Sequence, residues 1–196
     1  MIGIKTMGVA AIAATIAGSA NAEILLLIDL SVENQMTVTA TDGVSAVSSE
    51  GSDTNGIYLQ GFFDAAAVGS ISANPGAGDF TTFGNTSDGG LSIYRGGSGA
   101  DSGLNFWSWT NDPNPLFITE GQQALTGSAT FSLTETVYAL LSQNTGTGEL
   151  WFNADTADDI GGPLNPGNIG QWSIVPAPGA LAMLGLAGLA GRRRRN

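Results

Sequence analysis

Short runs of β-branched and aromatic residues, separated by clusters of Gly, Asn, Asp, Ser and Thr, recur along the middle of this chain. Within them apolar and polar positions alternate with the two-residue period of a strand. The pattern predicts strands over Ile24–Leu30, Met36–Thr41, Val44–Ser48, Ile57–Phe63 and Leu91–Arg95 in the first half. In the second half it predicts Asn105–Thr110, Phe117–Thr119, Ser128–Leu133, Val137–Gln143, Leu150–Asn153 and Gly170–Val175. Leu91–Arg95 and Asn105–Thr110 pair across the loop GGSGADSG, and Val137–Gln143 pairs with Leu150–Asn153. Tyr138, Ala139 and Leu141 carry mixed periodicity, so a short helix over Thr136–Gln143 stays open. Many short strands with turn residues between them predict an all-β domain, a single two-sheet sandwich of jelly-roll type. The 29 glycines suit the tight turns such a fold needs.

Both ends break this pattern. Met7 to Ala17 is a run of small and apolar residues behind Lys5, and Ala20-Asn21-Ala22 follows with the small-x-small spacing that signal peptidase reads. Residues 1–22 are therefore expected to be a signal peptide, cleaved after Ala22 and recognised through Ala20 and Ala22. At the other end Gly179 to Gly191 carries no polar side chain and is followed by Arg192, Arg193, Arg194 and Arg195. As a helix the apolar stretch is about 20 Å long, against a bilayer core about 30 Å thick. The arginines must snorkel to bring it near length. Pro176 and Pro178 break any helix running in from upstream.

Pro176-Ala177-Pro178, the apolar segment and the four arginines, in that order, resemble the PEP-CTERM sorting signal of Gram-negative bacteria that make exopolysaccharide. The resemblance covers residues 176–196. Ala177 stands where the family motif has Glu. It implies Pro176, Ala177 and Pro178 as the sorting motif and Arg192 to Arg195 as the membrane-orientation signal. It also implies an exosortase-like membrane protease as a partner, beside signal peptidase. The expected course is export through the inner membrane, transient anchoring by the tail, then release or attachment at the cell surface or in the extracellular matrix.

Charge narrows the function of residues 23–175. All 17 acidic side chains lie there, against one base, Arg95. No phosphate-neutralising surface can be built, which excludes nucleic acid as a partner. No histidine and no cysteine are present. Imidazole-based catalysis, cysteine nucleophiles and Cys- or His-ligated metals are excluded with them. The domain is expected not to be an enzyme, and no catalytic residue is assigned. It is read as a structural surface or matrix protein associated with exopolysaccharide.

The alternative is a carbohydrate-binding, lectin-like module. Trp107 and Trp109 sit two apart on a predicted strand and would share one face, which if exposed is a platform for sugar rings. Asn153, Asp155, Asp158 and Asp159 crowd one loop before Gly161 and Gly162, an oxygen-rich set of the kind calcium takes. Their spacing departs from the EF-hand pattern, and an Asx-rich turn bonded to its own backbone explains the same residues.

Overall fold

A computed structural model of the chain describes residues 22–63, 71–73, 77–85, 90–95, 101–110, 115–144 and 146–175. The segment up to Asn21 that is expected to be a signal peptide, with Ala20, and the tail with Pro176, Ala177, Pro178 and Arg192 to Arg195 lie outside the described residues. Among those described, no helix is long and apolar enough to cross a membrane.

Alternation in the first two strands sets the two sides of the sheet. In β1 (Ile24–Asp29), Leu26 and Ile28 face inward while Leu27 and Asp29 face outward; in β2 (Gln35–Ala40), Met36 and Val38 face inward while Thr37 and Thr39 face outward. Asn34 takes a left-handed backbone in the turn between them, at φ 58°, a conformation asparagine tolerates better than most residues. Twelve further strands follow. They are β3 (Ser49–Gly51), β4 (Ile57–Leu59), β5 (Ile71–Ala73), β6 (Ala77–Gly78), β7 (Thr81–Thr82) and β8 (Ser92–Arg95), then β9 (Leu104–Trp107), β10 (Leu116–Ile118), β11 (Leu125–Thr126) and β12 (Ser128–Ser132), and finally β13 (Thr147–Phe152) and β14 (Gly167–Val175).

Ten of these strands form one sheet in the order β5-β8-β9-β4-β13-β14-β1-β2-β12-β6. The remaining four make two small pairs, β10 with β3 and β11 with β7. Every strand pair is antiparallel except β1 with β14. The large sheet curls. Phe106 on β9 stacks on Phe131 of β12 with ring centroids 6.2 Å apart, although five strands separate β9 and β12 in the hydrogen-bonded order. Phe80, beside β7, meets Trp109 edge-on at 5.9 Å. The inner faces of the two halves thus close on one core.

The all-β expectation holds at that level, but its division into two hydrogen-bonded sheets does not. β14 lies between β13 and β1 and joins what would otherwise be separate groups. Its register slips once against β13, between Leu150 and Trp151, and that against β1 slips between Ile24 and Leu26. Such irregularities bend a strand and let it serve both layers. Trp172 on β14 is fully buried and tilts against Phe62 at 5.0 Å. Gly148 makes room for it, since a Cβ there would meet the indole at 2.8 Å.

The segment Val137–Gln143 is not a strand. Residues Glu135–Leu141 form α1, with the Thr134 hydroxyl accepting from the Val137 N–H at 3.3 Å as the N-cap and Leu141 turned into the core. Its expected partner pairs elsewhere, β13 with β4 and β14. Val44–Ser48 makes only isolated bridges at Val44 and Ser45. The hairpin across GGSGADSG is present, as β8 against β9.

Candidate functional site

The outward side of the large sheet divides into two kinds of surface. Across β12, β2, β1 and β14 it carries mainly hydroxyls: Thr130 stands opposite Thr37, Ser128 opposite Thr39, and Leu27 opposite Ser173. The Thr37 and Thr130 hydroxyls hydrogen-bond at 3.0 Å. Across β13, β4, β9 and β8 the register instead lines up Trp151, Tyr58, Asn105 and Tyr94 in one row. On β13 the inward positions are Leu150 and Phe152, so Trp151 is directed outward by the same alternation that fills the core.

Trp151 is half-buried and held by its ring edge. Its Nε1–H donates to Gln60 Oε1 at 2.9 Å and to Glu149 Oε2 at 3.2 Å. Glu149 is exposed and stands opposite Gln171 of β14. On the other flank Asn168 stands opposite Trp151, and its Oδ1 is buried without a hydrogen-bond donor. These residues form the candidate site. Two of them, Glu149 and Trp151, were within reach of the alternation rule, because TGELWF places them two apart. Gln60 was not, because it arrives from a strand 91 residues away.

Beside Trp151 the row is roofed. Tyr58 is fully buried, and its hydroxyl donates to Asp101 Oδ1, which also accepts from the Gly103 N–H at 2.8 Å. Burial pushes the Tyr58 hydroxyl far above its ordinary range, and the Asp101 carboxylate pushes it further. Asp101 Oδ2 accepts from the Ala157 N–H at 3.3 Å, which ties this loop to the turn after β13. Asn105 donates to the carbonyls of Asn55 at 2.7 Å and Ala154 at 3.0 Å. Tyr94, at the far end, is 42 % exposed.

The expected tryptophan platform is not formed. Strand β9 stops at Trp107 because Ser108 adopts a left-handed backbone, φ 55°, which ends the alternation. Trp109 then turns into the core and is 0 % exposed, while Trp107 stays half-buried on the outward side opposite Ser92. The two indoles therefore do not share a face. The Arg95 backbone belongs to β8, and its side chain lies outside the description.

The oxygen-rich loop closes on itself. Asn153, buried at φ 67°, accepts from Asn55 Nδ2 at 2.9 Å and donates to the Leu164 carbonyl at 3.2 Å. Asp159 Oδ2 accepts from the N–H groups of Asp155 at 2.9 Å and Thr156 at 3.2 Å. Burial, then the hydrogen-bonding and charge influence of the neighbouring Asp159 carboxyl, push Asp155 up to about 6. For Asp159 burial acts upward, but hydrogen bonds from Asp155 and the local backbone outweigh it and hold it below the usual carboxylate range. Asp158 is exposed. Among the described residues no group of three or more acidic side chains is arranged to hold a metal ion.

At the head of the domain Ala22 is half-buried, and Glu23 is already part of the structure. Its carbonyl accepts from the Gln171 N–H at 2.8 Å and its Oε2 accepts from the Val44 N–H at 2.7 Å. No family model matches the chain, and neither a curated protein nor a solved structure shows significant similarity to it.

Proposed function

We propose that this is an exported bacterial surface or matrix protein, associated with exopolysaccharide and sorted by its C-terminal tail. The observation that carries this reading is the order of parts in residues 176–196: Pro-Ala-Pro, an uncharged apolar stretch and four terminal arginines. Signal peptidase removes residues 1–22. Translocation then stops at Gly179–Gly191, because Arg192 to Arg195 stay on the cytoplasmic side. An exosortase-like protease acts at Pro176–Pro178, and the sandwich-like body is released or attached outside. The end of β14 at Val175 supports this, since separation at Pro176 leaves every strand of the sheet intact. The acidity of residues 23–175 favours solubility once the protein is outside the cell.

Fractionation of cells expressing tail variants tests the reading. A chain stopped after Val175 is expected in the soluble exported fraction, with the full chain passing through a membrane-bound stage. Replacing Arg192 to Arg195 with serine is expected to reduce that stage by at least half. Equal membrane association in all three chains would overturn the anchor and the sorting role together.

A further inference from the structure

We infer that the outward surface around Trp151 is a binding site for an uncharged polysaccharide, with Glu149, Gln171 and Gln60 as its polar rim. The inference deepens the reading of the protein as exopolysaccharide-associated by naming the site and the class of sugar. The inward side of β13 already supplies Leu150 and Phe152 to the core, so the indole is not needed there. Instead it lies on the solvent side, with its N–H engaged by two acceptors that fix the ring's orientation. A ring fixed before binding loses little freedom when a ligand stacks on it.

The surroundings match a pyranose. Its C–H face is apolar and suits an aromatic ring, while its edge carries hydroxyls that both donate and accept. Beside Trp151 stand an exposed carboxylate, Glu149, and the Gln60 amide, with Gln171 opposite Glu149 on the next strand. Asp101, bonded to Tyr58 and to the Ala157 N–H, covers the neighbouring position of the row on the β4 side. A few directed polar groups around an apolar surface are the usual make-up of a small-molecule site.

Charge selects the class of sugar. With 17 acidic residues against Arg95 in residues 23–175, and Glu149 at the site itself, a polyuronate or sulfated chain is repelled. An uncharged glucan, mannan or galactan is not.

The test uses the full-length chain, purified in detergent, and titrates laminarin, mannan, a galactan and polygalacturonate against tryptophan fluorescence and by calorimetry. At least one uncharged glycan is expected to bind and polygalacturonate is not. Trp151→Ala is expected to weaken binding at least tenfold, with partial recovery in Trp151→Phe. Glu149→Gln, which leaves the core side of β13 untouched, is expected to weaken it several-fold even should Trp151→Ala fail to fold. Thr39→Ala, on the hydroxyl half, is expected to change nothing. Binding of no uncharged glycan, preference for polygalacturonate, or undiminished affinity in both Trp151→Ala and Glu149→Gln would overturn the site. A chain that binds glycan but is not sorted by its tail removes the sorting role and leaves the site; a sorted chain that binds none does the reverse.

Discussion

Asp155 and Asp159 flank a single turn, in which the Asp159 carboxylate accepts from the Asp155 N–H. The folded state raises Asp155 to about 6, above the unfolded value near 3.9. Its contribution to stability is therefore complete below about pH 4 and is lost as pH rises through 6. Asp159 is depressed, so its contribution is present above the unfolded value and fades as pH falls through its lower folded value. Between about pH 4 and 6 the Asp159 contribution is in place while that of Asp155 declines. Asp101 adds negative charge nearby and Tyr58 stays neutral throughout this range. Thermal melts are expected to give a higher midpoint at pH 5 than at pH 7.5, a small difference because Asp155 is exposed and screened. Asp155→Asn is expected to flatten it, and an unchanged slope would remove the account. That this loop is an Asx-rich turn was legible from residue types alone. Its bonding was not, because the Asn153 partner Asn55 is 98 residues away in sequence.

At the level of elements, one side chain shows how the layers are joined. Trp172 is buried against Phe62 on the strand that links the two halves of the sheet, with Gly148 cleared beneath it. Trp172→Ala is expected to cost about 3–5 kcal/mol, the range for large aromatic deletions in a core. A denaturant titration checks it, and a loss under about 1 kcal/mol would mean that β14 contributes little. Strands whose alternation is carried by side chains alone, such as β1, β2 and β12, were readable in advance, as was the β8–β9 hairpin. One element was left open between strand and helix, and one was misread. At α1 the Thr134 cap and the Ala-Leu-Leu run outweighed the β-branched pair Thr136 and Val137. At Ser108 a single left-handed residue reversed the side on which Trp109 falls.

For the whole molecule, neighbour choice governs what periodicity cannot. Alternation names the buried side of each strand but not which strands touch, so one curled sheet and two stacked sheets look alike in sequence. The parallel union of β1 with β14, Asp29 beside Val175, is the particular pairing that decides between them. A chain ending at Pro166 is expected to lose cooperative unfolding and resist no protease, whereas one ending at Val175 keeps both. Similar melting curves for the two would contradict the joining role of β14.

On the export course proposed above, that union has a consequence. The opening ribbon of the domain meets its parallel neighbour only when the closing one arrives, and that one is followed in sequence by Pro176. We expect the sheet to close only once this final ribbon has emerged, so that maturation is timed by length.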